Sequence, residues 1–250
     1  MAAGEKKLDH VFTPDTGGLI LVDKPLRWTS FDAVNKIRGA MRSVVQRKNF
    51  KVGHAGTLDP LATGLLILAY GPFTKKLPHI TGERKIYTGT MTLGSITPSY
   101  DLETVPEPSG DPAGITDRQI EEAFSRFTGE VMQHPPLYSA KRHEGERGYF
   151  LAREGSQVQM PAVKVTIDKL QLIHRQGPDV HFEVHVSKGT YIRSLAHDIG
   201  RMLGCGAHLS SLRRTSIGEY HVQDALPPLD WAQHIAPLRG RANSGEVTDR

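Results

Sequence analysis

Residues 52–66, VGHAGTLDPLATGLL, set one carboxylate, Asp59, among three glycines and a proline. An aspartate so placed could end a helix, shape a turn, hold a metal or attack an electrophile. Before a proline the plain reading is a turn. The density of the surroundings argues for more: Gly53, Gly56 and Gly64 would let backbone approach a ligand closely, and His54 adds a planar ring five residues before the carboxylate.

Other chemistries lack their residues. His181 and His185 would share a helix face, but DVHFEVHVSKG alternates as a strand, where four residues span roughly 13 Å. They cannot grip one ion together. The single cysteine, Cys205, excludes an internal disulfide and the His-x-Glu with Pro-Cys-x-x-Cys zinc site of nucleobase deaminases. A phosphate-binding Walker loop, a Gly-x-Ser-x-Gly elbow and a dinucleotide fingerprint are all missing. The chain is expected to need no metal and no cofactor.

The elements that must position these residues follow from pattern. GGLILVDKP reads as a short buried strand stopped by Pro25, and LLILAYG as a second one. In TSFDAVNKIRGAMRSVV, Ser30 is expected to cap a helix that buries Phe31, Val34, Ile37, Met41 and Val44. RKIYTGTMTLGSIT alternates and is rich in Thr and aromatic residues, which places Tyr87 on a strand. Residues 102–114 read as a loop. Thr116 and Gln119 then form a capping box for a helix stopped at Gly129. VKVTIDKLQLI and DVHFEVHVSKG read as strands, and TYIRSLAHDIGRMLG spaces Ile192, Leu195, Ile199 and Leu203 as a helix. Residues 1–16 are polar and expected to be flexible, 17–230 to form one mixed α/β domain, and 231–250 to be a short tail.

Lys and Arg number 31 against 27 Asp and Glu, a net charge of +4 that suits a polyanionic partner without requiring one. No apolar run approaches membrane-spanning length, and MAAGEKKLDH lacks the core of a signal peptide. A cytoplasmic protein that touches no membrane is expected.

GHAGTLDPLATGLL resembles the signature of the bacterial tRNA pseudouridine synthases of the TruB family, which modify uridine 55 of the T arm. GLILVDKPLRWTSFDAV is similar to that family's Lys-Pro opening, RKIYTGTMTLGSIT to its Tyr strand, and QHPPLYSAKRHEGERGYFLAREG to its Pro-Pro-x-Tyr-Ser-Ala block. VSKGTYIRSLAHDIG and HLSSLRRTSIGEY resemble its last two blocks, in order, across residues 18–225. The resemblance implies an α+β pseudouridine synthase fold: a central, mixed, largely antiparallel sheet flanked by helices and loops. Many members carry a small RNA-binding domain after the catalytic one, and the sequence is expected to lack a full one.

The resemblance also implies roles. Asp59 would be the nucleophile, attacking either C1′ or the base, with Arg193 as the cation that keeps it charged. Tyr87 would stack on the target base and remove the C5 proton. Tyr191 and Leu212 would line the uracil pocket, and His54 would fill the space that the flipped base leaves. Lys141, Arg142, Arg147 and Arg153, with Arg213 and Arg214, are candidate phosphate contacts. Lys24 and Pro25 would support the Asp59 loop, and Asp101 would order a neighbouring one. The expected partner is the T stem-loop of tRNA, not DNA, and the expected state a monomer. A guide-RNA-dependent synthase subunit and a non-catalytic tRNA-folding factor are the alternatives on the same scaffold.

Overall fold

The computed structural model describes residues 15–139, 142–143, 146–147, 158 and 160–238. In chain order the elements are β1 (Gly18–Lys24), α1 (Ser30–Val45), β2 (Val52–Ala55), β3 (Ala62–Tyr70), α2 (Leu77–Gly82), β4 (Lys85–Leu93), β5 (Ser95–Ile96) and β6 (Glu107–Pro108). There follow α3 (Asp117–Phe127), β7 (Gly129–Gln133), β8 (Arg142–His143), β9 (Glu146–Arg147), β10 (Val163–Gln176), β11 (Asp179–Val186), α4 (Ile192–Met202), β12 (Ala207–Ile217), β13 (Tyr220–His221) and α5 (Pro228–Ile235). The fold is mixed α+β, and the ladders β1–β3, β2–β3, β4–β11, β10–β11, β7–β10 and β12–β13 are antiparallel. Among the described residues no helix is long and apolar enough to cross a membrane.

The chain divides into two compact units, Met1–Glu83 with Arg214–Arg250, and Arg84–Arg213. In the first, β1 pairs along its whole length with residues 64–70 of β3, which also pairs with β2 over His54↔Leu68 and its neighbours. The continuous run of Leu and Ile in β3 follows from burial on both faces. One face packs with Ile20 and Val22 of β1, Ile37 and Met41 of α1 and Trp231 of α5; the other meets Ile80, Ile217 and Ala225. The tail boundary expected at residue 230 falls inside α5, whose Trp231 is buried and donates its indole N–H to Leu21 O at 2.7 Å.

Two details of α1 differ from expectation. Thr29 is the N-cap, because Thr29 and Asp32 make the reciprocal capping box that Ser30 would need an acceptor at residue 33 to form. Position 33 is alanine. Phe31 is 61% exposed, although Val34, Ile37, Met41 and Val44 are buried as expected. At 3.6 residues per turn, Phe31 falls outside the stripe they define.

In the second unit the ladder runs β4–β11–β10–β7. Residues 207–213 of β12 flank β4, and α3 packs on β10. β11 alternates strictly between half-buried and buried positions, which turns Phe182, Val184 and Val186 inward and His181, Glu183 and His185 to the other face. α3 begins with the expected Thr116–Gln119 capping box, and Gly129, at φ 102, opens β7. The loop expected over 102–114 contains β6, paired with β5.

Candidate active site

Asp59 sits half-buried between β2 and β3, on a loop tied down at Gly56, Leu58, Asp59 and Pro60. The Asp59 carbonyl accepts from Ala62 N at 3.0 Å, closing a turn with Pro60 at the second position. The plain turn reading and the functional one therefore coexist: the backbone makes the turn and the carboxylate is left at its start. Leu58, 3% exposed, is held by Ser30, which accepts from Leu58 N at 2.8 Å and donates to Leu58 O at 3.2 Å. Pro60 O accepts from Arg27 N at 2.8 Å.

Lys24 closes the same loop from below. It is fully buried, and its ammonium donates to Trp28 O at 2.6 Å, Pro25 O at 3.1 Å and, at the limit of a hydrogen bond, Pro60 O at 3.5 Å. Burial lowers its pKa from 10.5 to about 8, against the raising effect of the Asp59 charge. A folded pKa below the unfolded one means the unfolded chain holds more protons between about pH 8 and 10.5, so stability from this group rises with pH across that window. Denaturant titrations of wild type and Lys24→Met are expected to show their difference moving in favour of wild type from pH 8 to 10.5. A pH-independent difference would contradict the buried ammonium.

Arg214 is the structure's main correction to the sequence reading. Expected as a phosphate contact, it is 1% exposed, with Nε donating to Leu65 O at 2.7 Å and Nη2 to Gly56 O at 3.0 Å. Its guanidinium thus spans the two ends of the segment that carries Asp59 and faces no solvent phosphate. Gly64, at φ 102, is where β3 meets the Arg214 backbone. His54, on β2, is half-buried; burial first and the Arg214 charge second lower its pKa, so its ring is neutral at pH 7.

In the second unit Tyr87 is 7% exposed on β4, opposite Val184 of β11. Two residues on, Gly89 leaves its side-chain space to Phe182 and to Leu212, which a Cβ there would approach at 2.8 and 3.3 Å. Tyr191 caps α4, and its backbone is clamped by buried Gln133, whose Oε1 accepts from Tyr191 N at 2.8 Å and whose Nε2 donates to Tyr191 O at 3.0 Å. Local pattern does not mark Gln133 for this, because the clamp joins positions 58 residues apart.

Arg193 is the second residue of α4 and is 3% exposed, not the surface arginine that an amphipathic helix would ordinarily carry. It donates to Ser99 O at 3.2 Å and Tyr138 O at 3.0 Å, and its Nε lies 3.6 Å from Asp101 Oδ2. Asp101 orders its own turn by accepting from Glu103 N at 3.0 Å. One turn along α4, the His197 ring stacks on Tyr100 at 3.9 Å, so the helix grips the 99–101 turn by charge and by ring. A buried guanidinium with this many acceptors keeps its orientation.

Lys141 and Arg153 lie outside the described residues, and Arg142 and Arg147 occupy β8 and β9. Arg213 is half-buried. His181 bonds Thr90 and stacks on His174, whereas His185 bonds Glu183, so the two histidines have separate partners. Among the described residues no three metal-type ligands cluster.

The model of the TruB family pseudouridylate synthase N-terminal domain matches residues 42–192, and that of the tRNA pseudouridylate synthase B C-terminal domain matches 193–236. The second match begins at Arg193 and runs through α5. The chain is 46% identical over 211 residues to the tRNA pseudouridine synthase B of Flavobacterium johnsoniae, covering 84% of this chain and 92% of that protein. It is 47% identical over 215 residues to the protein of that name from Chlorobium luteolum, covering 85% and 73%. Among solved structures it is similar to a Cbf5–Nop10–Gar1 complex, with a TM-score of 0.61 and 32% identity over 81% of this chain and 50% of that one. It also resembles an archaeal box H/ACA sRNP Nop10–Cbf5 complex, with a TM-score of 0.64 and 26% identity over 90% and 56%. The chain thus spans about half of those two chains. With the Asp59 loop, the Tyr87 strand and Arg193 all inside the matched segments, the chain belongs to the TruB family of pseudouridylate synthases.

Proposed function

We propose that this protein is the tRNA pseudouridine synthase that isomerises uridine 55 in the T loop. The observation that carries this reading is 42–47% identity, over 84–89% of the chain, to proteins named tRNA pseudouridine synthase B. The reaction breaks the N1–C1′ bond, turns the uracil, joins C5 to C1′, removes the C5 proton and returns a proton to N1. It is redox-neutral. Asp59 is the nucleophile, a carboxylate that is ionised at neutral pH unless burial opposes it. Arg193 is the cation assigned to it, and its burial and fixed hydrogen bonds suit a group that must not wander.

Tyr87 stacks on the uracil and takes the C5 proton, with Tyr191 and Leu212 lining the pocket. Reaching a uridine inside a folded loop requires flipping it out, at a cost of a few kcal/mol. The neutral His54 ring fills the vacated stack. Lys141 and Arg142 contact the RNA backbone. The enzyme works as a monomer in the cytoplasm, on the T stem-loop. A guide-dependent role is the reading that the Cbf5 structures suggest, but the higher identities and fuller coverage lie with the tRNA enzymes.

If recognition rests on the T arm, an isolated T stem-loop is modified at the position of uridine 55 with a kcat/KM within about tenfold of whole tRNA, a difference of under about 1.4 kcal/mol. Pseudouridine mapping on both unmodified transcripts checks this. A stem-loop that stays unmodified while whole tRNA reacts would place recognition elsewhere on the tRNA, and modification of neither would refute the assignment.

A further inference from the structure

The turn between β1 and α1 carries an exposed charge that the reaction does not use. The Lys24 ammonium sits inside this turn, bonded to the carbonyls of Pro25 and Trp28, and the chain closes around it by reversing over residues 25–28. Arg27 makes the reversal at φ 66, in the left-handed region where a Cβ is strained and glycine is the usual occupant. Two other described non-glycine residues have positive φ. Gln46 does so as the C-cap of α1, and Tyr100 as it stacks on His197. Unlike the Tyr100 ring, the Arg27 side chain is not what the turn uses, since only its backbone takes part. It is exposed, and among the described residues its guanidinium makes no hydrogen bond or ion pair.

Its position is specific. The Arg27 amide donates to Pro60 O at 2.8 Å, so its backbone is fixed against the residue that follows Asp59. Asp32, five residues on at the start of α1, is engaged by the Thr29 cap through its Oδ2 at 2.9 and 2.7 Å. Around it the surface is apolar and basic: Leu26 is 53% and Phe31 61% exposed, and the Arg38 guanidinium lies 5.8 Å from the Phe31 ring centre. Strain kept at an exposed position is accounted for by a use of that position. An exposed guanidinium on a turn hydrogen-bonded to the Asp59 loop matches a phosphodiester, which it can bind through paired N–H donors.

We propose that Arg27 binds a backbone phosphate of the RNA strand that carries the reacting uridine. The inference rests on the RNA substrate assigned above. It is tested with Arg27→Gly and Arg27→Lys, using an unmodified tRNA transcript and reading binding against salt, steady-state kinetics and Tm. Arg27→Gly is expected to raise KM about tenfold with the loss carried by KM, and to make the log–log salt slope shallower by about 0.7–0.9, the change for one phosphate. Its Tm should hold or rise, because glycine removes the left-handed strain. Arg27→Lys should restore the slope. An Arg27→Gly protein with wild-type KM and slope, or one that only loses Tm, would overturn the phosphate contact and leave Arg27 as a turn residue. Wild type in the same titrations separates the two levels: normal wild-type turnover with an unchanged variant refutes the contact alone, whereas failure of wild type to bind tRNA refutes both.

Discussion

Asp59→Asn is expected to form no detectable pseudouridine, a loss of at least about 10⁴ in rate, while binding tRNA within about threefold of wild type. The substitution removes the nucleophilic oxygen and changes shape by almost nothing. The loop's tethers to α1, β1 and β12 run through other groups: Ser30 to Leu58, Arg27 and Lys24 to Pro60, Arg214 to Gly56 and Leu65. Affinity rests mainly on phosphate contacts, which this change leaves in place. Single-turnover kinetics with enzyme in excess, beside a filter-binding titration, read both quantities. Turnover near that of wild type would remove Asp59 from the chemistry, and a large loss of affinity would mean that the side chain holds the fold or the RNA.

Gly64→Ala is expected to destabilise the protein by about 2–5 kcal/mol and to lower activity only as far as folding fails. A Cβ at this position would overlap the Arg214 carbonyl oxygen and lie 2.8 Å from the Arg214 nitrogen, and neither is the end of a flexible side chain. The φ of 102 adds strain that no rotamer relieves. The expected result is a Tm lower by roughly 5–15 °C. Gly82→Ala, with open space around its Cβ, serves as the control that should hardly move. A Gly64→Ala protein as stable as wild type would show that β3 and Arg214 do not meet as closely as described.

Local pattern made much of this fold legible. β1 and β3 stand out as short apolar runs and α3 as a capping box, because each depends only on near neighbours. The first turn of α1 was harder, since both Thr29 and Ser30 are good caps. The choice was made by Asp32, which completes a box only with Thr29. Ser30 was thereby freed for Leu58, a bond across 28 residues that no local pattern encodes. Arg213 and Arg214 looked like one basic pair. Strand alternation separates them, with Arg214 and Ser216 buried and Arg213 and Thr215 half-buried. The acceptors of Arg214, Gly56 and Leu65, could not be read locally, because they lie about 150 residues away in sequence. The buried pairing of Arg193 with Asp101 was hidden in the same way.

The most direct test of the central claim follows the hydrogen on C5. Purified protein is incubated with a tRNA transcript made with [5-³H]uridine, and tritium release is counted against position-specific mapping of pseudouridine. The account predicts release of one tritium per tRNA, pseudouridine at position 55 alone, and neither signal with Asp59→Asn. Tritium release without pseudouridine at 55, or pseudouridine at 55 formed equally by Asp59→Asn, would contradict it.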